Sequence, residues 1–206
     1  MRPIVIWNIE MSADGKIGKK DKEILLSNKL NQSRIEKMRS EVDALIFDFR
    51  NAEKFAENRK VPEKGPKIVI IDPKAELPKN SKILNFNPLL IVAEEANAEK
   101  VKNLRKNFEV MVIGKYAVNL HELLAKLYRR GIRKCIVEDK EHLANRMLNE
   151  NLIDEIFILV NPLLIGNGKS FIEKVSKEIN FSLKGIVQYG DAVLLHYIVA
   201  KEQEQK

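Results

Sequence analysis

Residues 120–161 read LHELLAKLYRRGIRKCIVEDKEHLANRMLNENLIDEIFILVN, and the hydrophobic period switches repeatedly along them. The spacing predicts a helix over 120–130 with Gly131 as its stop, and then a strand over 134–138. A second helix over 140–149 and a second strand over 154–161 follow. Strands separated by single helices pair in parallel and carry helices on both faces. An α/β fold is therefore expected.

The same alternation extends toward the N-terminus. Ile35, Met38 and Val42 recur at helical spacing within 31–42, with Ser33 as N-cap and Glu36 completing a capping box. A strand is expected over 44–49, a helical turn over 51–58 and an exposed loop over 61–66. KIVIID at 67–72 is a buried strand closed by Asp72-Pro73, and strands over 89–93 and 109–113 flank a polar helix over 96–107. The far end differs. Residues 181–189 and 192–200 read as consecutive strands around Gly190-Asp191, an antiparallel hairpin. The expected architecture is one domain over 1–206 with a mixed, mostly parallel sheet, its last residues, 201–206, a frayed polar tail.

The beginning of the chain, PIVIWNIEMSADGKIG at 3–18, holds the candidate site. Ile4 to Trp7 form a strand-like run with Trp7 in the core, after which Asn8, Glu10, Ser12 and Asp14 bring polar groups at alternate positions. Asp14-Gly15 and Gly18 are turn signals, so Ser12, Asp14 and Lys16 are presented where a core strand ends, the place where α/β sheets bind ligands. A plain turn with a solvated lysine accounts for the same residues, and both readings stay open.

Composition narrows the partners. With 45% apolar and 32% charged residues, the chain is that of a soluble globular protein. No apolar run approaches the roughly 20 residues of a membrane span. Asn8 and Glu10 interrupt the first apolar run as no signal peptide would, and a cytoplasmic protein is expected. The net charge of +7 is interspersed and lacks interleaved aromatics, which argues against nucleic acid. Cys135 is the single cysteine and is read as core. His121, His142 and His196 have no ligand spacing, so no metal is expected, and no nucleophile elbow is present. The wealth of Lys, Glu and Ile is like that of heat-adapted proteins.

NIEMSADGK at 8–16, KMRSEVDA at 37–44, NLIDE at 151–155 and NPLLIGNG at 161–168 stand in an order that resembles the reductases of riboflavin biosynthesis over nearly the whole chain. The resemblance implies the three-layer dihydrofolate-reductase fold. It also implies reduction of the ribosylamino side chain of a pyrimidine 5′-phosphate to ribitylamino by a reduced nicotinamide, usually NADPH, often in a homodimer. Hydride transfer to the sugar C1 of an open-chain imine asks a protein chiefly to place two ligands face to face and exclude water. By resemblance Asn8, Ser12, Asp14 and Lys16 lie on the substrate side, Asp14 and Lys16 nearest the chemistry and Lys16 countering negative charge. Ser27 falls near a serine of the family pattern, and Arg59 and Lys60 near its basic residue, which holds the substrate phosphate.

The cofactor half departs from the family. Where relatives have Gly-x-Gly-Thr after the second strand, this chain has Asp48-Phe49-Arg50-Asn51, and where they open a helix with glycines it has Asp139-Lys140-Glu141-His142. Asp139 is placed to cap that helix and accept the amide hydrogens a diphosphate would use, and Glu141 adds a second negative charge. Arg50, Asn51 and Lys140 are the remaining candidates for phosphate or ribose, with Gly166 and Gly168 of the retained Ile165-Gly166-Asn167-Gly168 turn. Two readings follow. One is a divergent NADPH-dependent reductase. The other is a non-catalytic relative that binds a pyrimidine or phosphate, or serves as a subunit. Unrelated chemistry on a shared scaffold stands against both.

Overall fold

The computed structural model describes residues 1–19, 29–57, 59, 64–139, 142–172 and 175–201. In chain order the elements are β1 (Ile4–Ser12), β2 (Lys16–Lys19), α1 (Lys29–Ser40), β3 (Ala44–Asp48) and α2 (Phe49–Ala56). They continue with β4 (Lys67–Ile71), β5 (Leu89–Val92), α3 (Ala98–Leu104), β6 (Glu109–Val112), α4 (Leu120–Arg129) and β7 (Lys134–Val137). The last are α5 (His142–Asn149), β8 (Glu155–Asn161), β9 (Gly168–Ser170), β10 (Phe181–Tyr189) and β11 (Ala192–Val199). Two compact units emerge, residues 1–3 with 39–139, and residues 4–38 with 140–206.

In the first unit the strand order is β7-β3-β4-β5-β6, and every pair is parallel. All of β3 is buried, as are Ile68 to Ile71 and all of β5, so these strands read as continuous apolar runs rather than alternating ones. On α4, Leu120, Leu123, Leu124 and Leu127 are buried, Asn119 caps the start through the Glu122 amide at 3.0 Å, and Gly131 ends it at φ +92°. Cys135 is in the core, as expected.

In the second unit the order is β10-β11-β8-β1. The β1–β8 pair is parallel, whereas β8–β11 and the β10–β11 hairpin are antiparallel. A separate two-stranded ribbon pairs β2 with β9. Trp7 is fully buried against Phe171 at 6.2 Å between ring centroids.

The mixed, mostly parallel sheet and its terminal hairpin are thus as the sequence indicates, and the differences are local. The opening strand does not give way to a loop after Trp7. Asn8, Glu10 and Ser12 alternate with Ile9 and Met11, a two-residue period that is itself a strand, paired to β8 through Ser12↔Asn161. Ser33 is no N-cap, because α1 is already helical at Lys29 and Ser33 lies a full turn inside it. Phe49 opens α2 rather than closing the strand before it, since Asp48 turns the chain as N-cap. The polar helix over 96–107 shortens to α3. A 3-10 turn at Lys82–Phe86 and the short β2 and β9 are additions. Residues 61–63 of the 61–66 loop and 202–206 of the tail lie outside the described residues. Among the described residues no helix is long and apolar enough to cross a membrane.

Candidate functional site

On the second unit, Asn8, Glu10 and Ser12 share one face of β1, and α1 packs its Asn31 and Arg34 onto that face. The Arg34 guanidinium donates to Asn8 Oδ1 at 2.9 Å and to Asn31 Oδ1 at 2.8 Å. Asn31 in turn donates to Glu10 Oε1. Burial lowers the pKa of Arg34, and the charge of Glu10 opposes that effect.

Ser12, Asp14 and Lys16 lie at the β1–β2 turn, as expected, but most of their polar capacity is used within the chain. The buried Ser12 hydroxyl donates to Asp14 Oδ1 at 2.6 Å and accepts the Lys16 amide at 2.9 Å. Asp14 also accepts the amides of Ile165 at 3.1 Å and Gly166 at 2.7 Å. Lys16 Nζ donates to Ser170 Oγ at 3.0 Å. The carboxylate therefore ties the β1–β2 turn to the loop before β9. Gly166 supplies its amide to Asp14 at φ +72°, and Gly168 backs directly onto β2, where an added Cβ would meet the Gly18 carbonyl oxygen. The close backbone approach at Gly168 is thus made by the chain itself.

Two predictions arise here. Gly168→Ala lowers unfolding free energy by about 2 kcal/mol in urea titration, the usual size of an overpacking strain against backbone. Gly185→Ala, at an open strand position, shifts it by less than about 1 kcal/mol. Equal effects would mean that the β2–β9 approach is not tight. The second concerns acid. Donation from Ser12, then from Ile165 and Gly166, lowers the Asp14 pKa from 3.8 to about 2. A depressed carboxylate stabilises the fold fully above its unfolded pKa and loses that contribution as pH falls through the folded one. Wild type should therefore lose its stability advantage over Asp14→Asn between pH 3.8 and about 2, with the two acid-unfolding curves converging below. Parallel curves through that window would rule out the carboxylate as the tie.

On the first unit, three carboxylates stand at the carboxyl ends of neighbouring strands: Asp139 after β7, Asp48 at the end of β3 and Asp72 after β4. All three are buried. Asp48 accepts the Arg50 amide at 3.0 Å and its guanidinium at 2.7 and 2.8 Å, which raises the pKa of Arg50. Asn51 donates to Asp139 at 2.5 Å. Burial raises the carboxyl of Asp72, while the Glu76 and Leu77 amides it accepts at 2.9 and 2.8 Å oppose that rise. The residues present do not fit the diphosphate of a dinucleotide at α2, because a carboxylate already occupies its first turn. They fit donors such as ribose hydroxyls. The capping role expected of Asp139 involves Lys140 and Glu141, which lie outside the described residues, as do Ser27 and Lys60.

Arg59 sits over the Phe55 ring at 4.5 Å. Arg39, which the sequence reading did not single out, lies over the same ring at 5.1 Å and forms a bidentate pair with Glu138 at 2.6 and 2.7 Å. Arg34 was missed as well. Its signal was available: Asn31 and Arg34 stand three apart and Met38 four further on, the spacing of a buried helical stripe.

A model of the RibD C-terminal domain family matches residues 3–195, a span that runs through both units. The chain is 33% identical over 198 residues to the 2,5-diamino-6-ribosylamino-4(3H)-pyrimidinone 5′-phosphate reductase of Archaeoglobus fulgidus, covering 84% of this chain and 90% of that one. It superposes on RibD of Acinetobacter baumannii with a TM-score of 0.80 at 20% identity, covering 97% of this chain but only 59% of the longer protein. Dihydrofolate reductase from Enterococcus faecalis gives 0.52 at 12% identity over 98% of this chain and 100% of its own, a likeness of fold alone.

Proposed function

This chain belongs to the RibD C-terminal domain family, and on that premise we propose that it is an NAD(P)H-dependent reductase of riboflavin biosynthesis acting on a ribosylaminopyrimidine 5′-phosphate. The observation that carries the reading is the reductase relative from Archaeoglobus fulgidus, aligned along most of both chains. The reaction adds a hydride to C1 of the open-chain imine and a proton to its nitrogen, leaving a ribitylamino group. A reduced nicotinamide supplies the hydride. The protein's own part is positioning.

On the substrate side, Asn8 is half-buried on β1 and Lys16 brings a cation to the end of that strand. We assign the direct polar contacts to these two. Ser12 and Asp14 hold the turn that carries Lys16. On the first unit by itself, Arg59, with Arg39 on the same aromatic ring, is the candidate for a phosphate; Lys60, also proposed for it, lies outside the described residues. Toward a dinucleotide, Arg50, Asn51 and Lys140 offer donors, and Asp48 and Asp139 offer acceptors for ribose hydroxyls. The substrate chemistry fits a cytoplasmic enzyme. A homodimer is also part of this reading, with its contact on the β10–β11 hairpin, where Leu183, Ile186, Val187 and Val193 are exposed.

The test is turnover. Purified protein, the ribosylaminopyrimidine 5′-phosphate and either NADPH or NADH should lose reduced-nicotinamide absorbance and yield a product heavier by two hydrogens. Neither change with either dinucleotide would overturn the assignment.

A further inference from the structure

We propose that Arg34 is a positioning residue that fixes the hydrogen-bonding polarity of Asn8, so that β1 offers the substrate a donor and selects a pyrimidine carbonyl oxygen or unprotonated ring nitrogen. The inference rests on the reading that Asn8 faces the substrate. It deepens that reading by stating which chemical edge of the ligand is recognised.

The argument is one of donors and acceptors. A guanidinium has donors only, and a carboxylate acceptors only. Glu10 Oε1 therefore fixes the Asn31 amide with its nitrogen toward the carboxylate, and Arg34 Nε, 2.8 Å from the other corner of that amide, confirms oxygen there. Arg34 carries the same logic onward. Its Nη2 lies 2.9 Å from Asn8, so the atom it meets is Oδ1, and the two N–H bonds of Asn8 Nδ2 point the other way. The guanidinium is held in place: it is 8% exposed, and its Nη1 contacts the Met38 sulfur at 2.9 Å. Rotating the Asn8 amide would set N–H against N–H and leave a buried donor without its acceptor. That orientation is disfavoured on the order of 10- to 100-fold.

The outward amide is available. Among the described residues Asn8 Nδ2 has no partner, and no buried side-chain nitrogen or oxygen is left without a hydrogen bond, so Nδ2 is reached by solvent. Asn8 lies on the same strand face as Ser12, whose hydroxyl is already engaged with Asp14 and the Lys16 amide. At the Asn8 position the strand therefore offers donors only. A carbonyl oxygen presented to Nδ2 is accepted there, and an amino group presented to Nδ2 meets N–H against N–H.

The experiment measures Kd for the ribosylaminopyrimidine 5′-phosphate by calorimetry without dinucleotide, and KM and kcat by turnover, in wild type, Asn8→Ala, Asn8→Asp, Arg34→Gln and Arg34→Lys. Circular dichroism checks that each is folded. Asn8→Asp and Arg34→Gln should raise Kd and KM by roughly tenfold with kcat little changed, the first by replacing the donor with an acceptor, the second by releasing the amide to rotate. Arg34→Lys, which still only donates, should stay within about threefold of wild type. If Arg34→Lys and Arg34→Gln weaken binding equally, or Asn8→Asp binds like wild type, the polarity assignment is overturned and the substrate-side reading of Asn8 survives. If Asn8→Ala changes nothing, both fall. If wild type binds with the expected pattern but does not turn over, the reductase reading fails and the polarity assignment stands.

Discussion

Exchanging Asp48 for serine should raise the affinity for NADPH by about tenfold, and that for NADH by less, a gain of about 1.4 kcal/mol for the phosphorylated dinucleotide. In wild type the first turn of α2 is closed by a carboxylate that accepts both the amide and the guanidinium of Arg50. A phosphate approaching that turn meets a negative charge where a bare helix N-terminus would offer positive potential. Serine keeps the cap while removing the charge, and it frees Arg50, whose side chain is 57% exposed, to meet an anion. The arginine end of the pair is exposed and serine keeps the cap over the buried end, so the variant should stay within about 2 kcal/mol of wild type. NADPH gains more than NADH because its additional phosphate gives it more negative charge to be relieved by removing the Asp48 carboxylate. The difference should shrink as salt is raised. Calorimetric titration with both dinucleotides at low and high salt decides the matter. NADPH affinity that is unchanged or weaker would mean that the dinucleotide does not contact the β3–α2 junction.

The alternation of periods in 120–161 was enough to place α4, β7, α5 and β8 within a residue or two, because each element buries a stripe or a face whose spacing survives in the letters. The ribbon of β2 and β9 was not legible. Its pairing joins Lys16–Lys19 to Gly168–Ser170, segments too short to show a period and related only through the fold. The glycine at 168 was visible, but a close backbone approach looks the same in sequence whether the neighbour is a nucleotide or another strand. At the site, residue types were readable and their partners were not. Ser12 and Asp14 appeared as ligand-facing groups because alternation points them out of the sheet, yet their nearest partners are one another and the 165–166 amides. At Asp48 the sequence showed a carboxylate but left it inside the strand over 44–49, and that it caps α2 is visible only in the structure. Arg34 escaped notice for a related reason. Its spacing from Asn31 and Met38 marks a helical stripe, but a lone arginine is read as solvated by default, and the burial beside Asn8 comes from tertiary packing.

Ile186→Lys should convert a dimer into a monomer. On β10, Leu183 and Ile186 are 54 and 60% exposed, and the register puts Phe181 and Val193 on the same face of the hairpin. The strand runs nine residues, pairs on one side with β11 and carries a single charged side chain, Lys184. Edge strands of that length are usually broken by charges, proline or cover, because unpaired backbone and apolar side chains invite a second chain. A twofold contact of the hairpin with its own copy satisfies both needs. In such an interface each substitution occurs twice. If each buried ammonium costs about 2 kcal/mol, the pair weakens association roughly a thousandfold. Light scattering at micromolar protein should therefore give twice the chain mass for wild type and the chain mass for Ile186→Lys. Tyr116→Lys, at an exposed aromatic of the first unit, should leave the dimer intact. A monomeric wild type would remove the homodimer from the reading, and a dimer that survives Ile186→Lys would move its contact away from the hairpin.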